Sequence, residues 1–428
     1  FSGNRVSFIN TSSNKINDLM QIISDRYVDT INMSDFVERT MPQILKELDP
    51  HSTYISAKDV EASMQDLKGS FSGIGVQFTI YDDTVRIVRV IEGGPSERVG
   101  LRAGDCIVSV DQKPYVGKVV NNDETMKRLK GAAGSTVCLG IKRHGEKALQ
   151  HFSITRGAVP VKSVDAAYMM DAQTGYIRIN TWGDNTYPEV LSSLASLNAQ
   201  GLEQLVIDLR GNLGGYLQAA VQVANEFLPK NRLIVYNEGV HFPREDFKSD
   251  GRGAYQTLPL VVLVDETSAS ASEIFAGAMQ DNDRATIIGR RSFGKGLVQR
   301  PIEFPDGSMI RLTIAHYYTP SGRCIQKPYT KGDARSYALD IENRFEHGEL
   351  YSADSIHFAD SLKYKTLRKQ RLVYGGGGIM PDYFVPLDTT LYTPFYRQLA
   401  ARSYIINANL KYVDAHRKAL KQQYPDFA

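Results

Sequence analysis

The sequence predicts a multidomain α+β protein, and three observations support this fold class. The chain has 428 residues, which corresponds to two or three domains at roughly 100–200 residues per domain. Residues 71–155 contain short strand-like runs that are separated by turns rich in Gly and Asp. From about residue 160, strand and helix patterns alternate. This alternation predicts a parallel-rich sheet with flanking helices.

The composition excludes several classes of protein. With 50 Lys and Arg against 48 Asp and Glu, the net charge is only +2, which argues against a nucleic-acid footprint or a polybasic membrane surface. No apolar run approaches the ~20 residues that a membrane-spanning helix needs. Three cysteines are too few for a disulfide scaffold or a Cys-based zinc site.

Metal and nucleotide cofactors are also disfavoured. The eight histidines are scattered, with neither a His-Glu-x-x-His motif nor a Cys/His cluster at ligand spacing. Gly289–Lys295 matches the start of the P-loop pattern, but Gly296 stands where that pattern requires Ser or Thr to hold Mg²⁺. We therefore expect no metal, no cofactor and no nucleic-acid partner.

The N-terminal segment, residues 1–70, is predicted to be helical. Two groups of apolar residues recur at helical spacing: Ile16, Leu19, Met20 and Ile23, then Phe36, Met41, Ile44, Leu45 and Leu48. Ser34 is the candidate N-cap of the second helix. The apolar stripes can pack within the chain or against a second copy, so a homodimer stays open. Residue 1 is Phe rather than Met, and a signal peptide or an upstream membrane or lipid anchor would not be visible.

Residues 71–157 carry two motifs that belong together. Ser72–Val76 is a Gly-rich turn before a strand, and Gly93–Asp105 combines a short helix with a Gly-punctuated turn. Successive glycines let backbone amides converge on an anion, and the following strand offers an edge to an extended peptide. The segment resembles a bacterial PDZ domain. The resemblance implies peptide binding by four residues: Gly73, Ile74, Gly75 and Val76.

The remainder of the chain is predicted to form an α/β core over residues 158–390. Leu258–Val264 is a continuous apolar run that is typical of a strand buried on both faces. Residues 240–256 are predicted to be a polar loop, and residues 328–370 a peripheral insertion. A C-terminal extension, residues 391–428, is predicted to contain one charged helix from about Tyr396 to Gln422.

A candidate nucleophile follows the buried strand. In Val264–Ile274 the strand ends and small residues lead into a helix, so a serine there lies exposed where backbone amides and the helix dipole converge. Ser/Thr-rich turns also cap helices routinely, and for this stretch alone that structural interpretation is favoured.

The segment Phe293–Gln299 favours the catalytic interpretation over helix capping, because it supplies a candidate base. Lysine can accept the proton of a serine hydroxyl if burial lowers its pKa from roughly 10.4 towards neutrality. Glycines flank Lys295, and Gln299 can bond its amine without adding a charge that would keep it protonated.

With these motifs the chain closely resembles the carboxyl-terminal processing (tail-specific) protease family, which are serine endopeptidases with a Ser–Lys dyad and an inserted PDZ domain. The matching motifs are the PDZ pair, Leu205–Gly215, Ser268–Glu273 with Phe293–Gly296, and Tyr317–Gln326. The family's 25-residue spacing implies Ser270 as nucleophile and Lys295 as base, with Gln299 orienting the lysine. It also implies an oxyanion site formed by Ala271 with Gly214 or Gly215. Leu213 stands where Pro is usual, and Gly211 where Asn is common.

The resemblance implies a crotonase/ClpP-like α/β protease core with an inserted PDZ domain and a helical N-terminal segment. It further implies protein or peptide substrates with free C-termini, an acyl-enzyme intermediate, and a periplasmic or otherwise exported location, with membrane tethering open. Two alternatives are a non-catalytic binder on the same fold and an acyl-CoA enzyme of the crotonase type. The binder predicts a broken dyad, whereas Ser270, Lys295 and Gln299 are all present.

Overall fold

The computed structural model describes residues 3–65, 70–390 and 393–425, so the ends of the predicted segments 1–70 and 391–428 lie partly outside the described residues. The chain divides into two compact units. One comprises Phe1–Val60, Val298–Ala315 and Pro328–Asp340, and the other comprises Glu61–Leu297, His316–Lys327 and Ile341–Ala428. We refer to them as the smaller and the larger unit.

Helices and strands are numbered in chain order. The elements before residue 66 are α1 (Gly3–Arg26), α2 (Met33–Lys46), β1 (Thr53–Ile55) and α3 (Ala57–Gln65). Those between residues 70 and 160 are β2 (Ser70–Gly73), β3 (Val76–Tyr81), β4 (Thr84–Val90), α4 (Pro95–Arg98), β5 (Cys106–Val110), β6 (Lys113–Pro114), α5 (Asn122–Leu129), β7 (Thr136–Lys142), β8 (Gln150–Thr155) and β9 (Gly157–Pro160).

The elements from residue 164 to residue 289 are β10 (Val164–Met169), β11 (Thr174–Ile179), α6 (Thr186–Asn198), β12 (Gln204–Asp208), α7 (Leu217–Asn225), β13 (Leu233–Gly239), β14 (Phe242–Lys248), β15 (Leu260–Val264), α8 (Ala271–Asp281) and β16 (Thr286–Gly289). The later elements are β17 (Leu297–Glu303), β18 (Met309–Tyr318), α9 (Ala334–Ala338), α10 (Asp340–Glu346), β19 (Lys363–Lys365), β20 (Leu372–Tyr374), β21 (Tyr383–Phe384), α11 (Pro394–Ala401) and α12 (Tyr404–Gln423).

In the smaller unit, α2 begins slightly earlier than the sequence predicts. Asn32 is the N-cap, because its side-chain oxygen accepts hydrogen bonds from the amides of Ser34 and Asp35 at 3.1 and 3.4 Å. Ser34 therefore lies inside the helix, and the prediction of Ser34 as the cap is wrong. Strand β1 pairs antiparallel with the first residues of β18, with Thr53 opposite Arg311.

In the larger unit, the segment predicted as a PDZ domain forms an antiparallel sheet in the order β3-β4-β5-β7-β8, with β6 beside β5. Its core contains the fully buried side chains Val85, Ile87, Ile107, Val137, Leu139, Ile141 and Ile154. Strand β3 forms one edge of this sheet. The chain enters and leaves the segment through an antiparallel pair, β2 and β9, in which Gly73 lies opposite Gly157. All three cysteines are free.

The core sheet of the larger unit confirms the predicted parallel-rich topology. Its strand order is β10-β11-β12-β15-β16-β21, and every neighbouring pair from β11 to β21 is parallel. Because the carboxyl ends of parallel strands meet at one edge, the loops that follow β12, β15 and β16 meet there. The loop after β15 leads directly into α8, which is buried along its whole length.

Two further sequence predictions are wrong. Residues 240–256 are not all loop, because β14 pairs antiparallel with β13; its sequence FPREDFK is polar because the strand lies at the edge of its sheet. The charged C-terminal helix is two helices, α11 and α12, which meet at Ser403 in a left-handed conformation. Asp414 of α12 forms an ion pair with Arg86 of β4.

The described residues include no helix that is both long and apolar enough to cross a bilayer. Within the same ranges, no cluster of three or more His, Cys, Asp or Glu side chains could hold a metal ion.

Candidate active site

Three loops of the larger unit meet at the carboxyl edge of the core sheet, and Asp265 links two of them. Its side-chain oxygen Oδ1 accepts hydrogen bonds from the amides of Thr267 and Ser268 in its own loop, at 3.0 and 3.1 Å. The same oxygen accepts the amide of Gly211 from the loop after β12, at 3.2 Å. The third loop joins through Phe293, whose amide donates to the carbonyl of Ser268 at 3.0 Å.

Ser270 occupies the N-cap position of α8 at the turn between β15 and the helix. Its backbone has φ +55° and ψ −113°, a strained conformation for a residue with a side chain. Of the three serines in this stretch, Ser270 is the one with accessible surface, whereas Ser268 and Ser272 are fully buried. Their hydroxyls are committed to structure, since they donate to the carbonyls of Leu209 and Asn212 at 2.8 and 3.1 Å.

The Gly-rich loop after β12 lies directly against Ser270. A Cβ atom on Gly214, whose φ is +104°, would lie 2.7 Å from the Cβ of Ser270, so only glycine fits here. The amide of Gly214 donates to the side chain of Asn212 at 2.9 Å. In contrast, the amides of Gly215 and Ala271 donate to no residue in the described part of the chain. The side chain of Leu213, between Asn212 and Gly214, is 72% exposed.

Lys295 lies in the extended segment between β16 and β17 and is half-buried. Its amide donates to Oε2 of Glu273 at 2.9 Å, and the amide of Gly294 donates to Oε1 at 2.7 Å. Gln299 belongs to the smaller unit, where its side-chain amide donates to the carbonyl of His51 at 2.6 Å. Its expected role as the neutral partner of Lys295 stays a prediction.

Two buried side chains at this site lie in the family motifs but were given no role by sequence reasoning. Glu273 is fully buried; burial raises the pKa of its carboxyl, and hydrogen bonds from Ser292 and from the amides of Lys295, Gly294 and Ser270 act in the opposite direction. The Ser-x-x-Glu spacing of a capping box could have indicated it. Tyr317 of β18 is the first residue of the Tyr317–Gln326 motif and is 1% exposed, but nothing in that motif indicates its contacts with Ser270 and Lys295.

A second predicted site lies in the PDZ-type segment. The carbonyls of Ile74 and Gly75 accept the amides of Ser96 and Ile91 at 2.8 and 3.0 Å, which joins the two motifs that the sequence singled out. The amides of Ile74 and Gly75 donate to no described residue. Gly75 has φ +78°, and the edge strand β3 begins immediately after it.

Comparison with known proteins decides the family. Residues 173–336 match the sequence model of peptidase family S41 and residues 72–154 match that of a PDZ domain. The chain is 33% identical over 316 residues to a carboxy-terminal-processing protease of Bartonella bacilliformis, covering 73% of this chain and 72% of that protein. The chain belongs to peptidase family S41.

The chain is also similar to other proteins that are described as C-terminal processing proteases. The carboxy-terminal processing protease CtpB of Bacillus subtilis is 32% identical over 345 residues, which covers 78% of this chain and 69% of that protein. Among solved structures, a photosystem II D1 C-terminal processing protease is 29% identical, with coverages of 72% of this chain and 89% of that chain and a TM-score of 0.42.

The S41 assignment confirms the predicted family, fold class and enzyme class. The protein is a serine-type peptidase of the carboxy-terminal processing group with a PDZ domain. The roles assigned to individual residues, the domain boundaries and the insertion at residues 328–370 stay predictions.

Proposed function

We propose that this S41 peptidase cleaves polypeptides with a dyad of Ser270 and Lys295. The observation that carries the proposal is the bonding of both main chains to one buried carboxylate, because it brings Ser270 and Lys295, which are both half-buried, to the same place. Ser270 Oγ attacks the scissile carbonyl while the neutral amine of Lys295 takes its proton. Lys295 then gives this proton to the leaving amine, and water hydrolyses the ester formed on Ser270.

In this proposal, the amides of Ala271 and Gly215 donate hydrogen bonds to the negatively charged oxygen of the tetrahedral intermediate. Both amides are without a partner in the described part of the chain, and Ala271 begins α8, whose N-terminus carries positive dipole charge. Gly215 is favoured over Gly214, because the amide of Gly214 is engaged by Asn212. One such donor contributes about 3 kcal/mol to transition-state stabilisation.

A fluorophosphonate probe tests this proposal directly. We expect one covalent label per chain on the tryptic peptide that carries Ser270, because only an activated serine with an adjacent oxyanion site reacts rapidly. The Ser193→Ala variant serves as the matched control and should label like the parent protein, since the Ser193 hydroxyl donates to the carbonyl of Glu189 in its own helix, α6. Labelling on another serine, or no labelling of a folded and proteolytically active protein, would contradict the proposal.

We also propose that the PDZ domain captures the free C-terminus of the substrate. The amides of Ile74 and Gly75, which have no partner among the described residues, can bind a carboxylate. An extended peptide can add to the edge strand β3. The substrate class is therefore a protein or peptide with a free C-terminus.

Amidating the C-terminus of a substrate peptide is expected to weaken its capture by at least about tenfold, because charge-assisted hydrogen bonds contribute roughly 1.5–3 kcal/mol each. Peptide affinity, measured by fluorescence anisotropy, checks this expectation. Gly75→Ala should weaken free-acid binding, whereas Gly145→Ala should not; both glycines have positive φ, and the second has open space around it. Equal affinity for the acid and the amide would exclude carboxylate recognition.

A periplasmic or otherwise exported location is proposed on the family resemblance alone. A homodimer and an upstream membrane or lipid anchor stay open. Fractionation of the source cells, with detection of the protein by antibody, tests the location, and recovery with the cytoplasmic fraction would overturn it.

A further inference from the structure

We propose that Glu273 and Tyr317 are positioning residues that together hold the main chains of Ser270 and Lys295 at a fixed separation. Neither side chain needs to touch the substrate. The inference rests on the proposed dyad and concerns what sets its geometry.

Glu273 holds the amide side of the pair. One oxygen atom, Oε2, accepts the amides of both Ser270 and Lys295, at 2.8 and 2.9 Å. The other oxygen, Oε1, accepts the amide of Gly294 at 2.7 Å and the hydroxyl of Ser292 at 2.5 Å. All four partners are donors, and the side chain is fully buried, so water does not compete for these bonds.

Tyr317 holds the carbonyl side of the same pair. Its single hydroxyl hydrogen is shared between two acceptors, the carbonyl oxygen of Lys295 and the carbonyl oxygen of Ser270, which lies 3.0 Å from the hydroxyl oxygen. The ring is buried, and the Tyr317 amide donates to the carbonyl of Gly296 at 2.9 Å. Two side chains from different elements, α8 and β18, therefore bond both main-chain groups of both residues.

These contacts matter because regular structure holds only part of the pair. The Ser270 carbonyl accepts the amides of Glu273 and Ile274 at 2.9 Å each in the first turn of α8, but neither the Ser270 amide nor the Lys295 main chain belongs to a helix or strand. Ser270 has a strained φ of +55°, and residues 291–296 form neither helix nor strand. Without the bonds, both segments can relax towards other conformations. A displacement of about 1 Å between reacting groups can cost on the order of 100-fold in rate.

Two near-isosteric variants test the proposal. Glu273→Gln replaces one acceptor oxygen with an amide that faces N–H donors, and we expect kcat to fall by about 100-fold. Tyr317→Phe keeps the ring but removes the shared hydroxyl, and we expect kcat to fall by about tenfold. KM should change by less than about twofold in both, because substrate-binding groups are untouched.

The matched control is Tyr187→Phe. This change also removes one partly buried hydrogen bond of a tyrosine hydroxyl, which donates to the side chain of Glu226 at 2.7 Å. Its kcat should stay near that of the parent protein even if its melting temperature falls as much as that of Tyr317→Phe. The double variant should lose less than the product of the single losses, because both side chains hold the same pair.

The proposal is overturned if Tyr317→Phe is folded and turns over substrate like Tyr187→Phe, whether or not Glu273→Gln folds. It is also overturned if the losses in the double variant multiply independently or if the loss appears in KM. Failure of the dyad itself has a different signature, since Lys295→Arg would then remain active. If Lys295→Arg is inactive and Tyr317→Phe keeps the kcat of the parent protein, only the positioning roles are rejected.

Discussion

Replacing Lys295 with arginine is expected to abolish peptide cleavage, with a loss of at least about 10³-fold in kcat. Arginine keeps the positive charge and a comparable length, but its pKa lies above about 12, so it cannot act as a base. The affinity for a free-acid peptide and the melting temperature should change little. Initial rates with one fluorogenic peptide, together with its binding constant, measure both properties.

The same argument fixes the pH dependence of the parent protein. Because the neutral amine is the active form, kcat should rise with pH through an apparent pKa well below the roughly 10.4 of free lysine. A histidine base predicts instead that Lys295→Arg keeps substantial activity. His316 of β18 is the half-buried histidine whose pKa is lowered by burial, and it provides the comparison: His316→Gln should retain the activity that Lys295→Arg loses.

Replacing Ser270 with alanine is expected to produce the largest single loss, about 10⁵- to 10⁶-fold in kcat. Alanine meets the same backbone strain at φ +55° as serine does, so the variant should fold like the parent protein. Combining Ser270→Ala with Lys295→Arg should cost little more than Ser270→Ala alone, because nucleophile and base act as one unit.

Single-turnover rates and fluorophosphonate labelling of the three proteins measure this non-additivity. Ser268→Ala is an unsuitable control because its hydroxyl donates to the carbonyl of Leu209 and so connects two loops of the site. Ser193→Ala is preferable, since that hydroxyl donates to the carbonyl of Glu189 in its own helix, α6. Residual turnover by Ser270→Ala comparable to that of Ser193→Ala would assign the nucleophile elsewhere.

The elements that the sequence predicted best are those with a strong local pattern. Leu260–Val264 is a central parallel strand, as its continuous apolar run indicates. In contrast, β14 has a polar sequence because an edge strand does not require burial on both faces. The break at Ser403 was missed because the amphipathic pattern continues on both sides of it.

At the candidate site, too, features with a local sequence pattern could be predicted, whereas contacts between distant residues could not. A strand, a small-residue turn and a helix start mark one short stretch that contains three serines, and the family's 25-residue spacing to Lys295 selects Ser270 among them. The bonds from Tyr317 to Ser270 and Lys295 join residues that are distant in the chain, so no periodicity predicts them. Similarly, only tertiary structure distinguishes Gly214 from Gly215, because the difference is the side chain of Asn212.

The antiparallel pairing of β2 with β9 has a consequence for the modular use of this protein. Paired residues such as Gly73 and Gly157 have Cα atoms about 5 Å apart, so the two chain ends that lead into the PDZ domain are already adjacent. A foreign domain whose own termini lie close together can therefore be spliced between these strands without stretching the protease core. Recognition and cleavage can then be recombined by exchanging one contiguous gene segment, which offers a route to proteases with reprogrammed substrate tags.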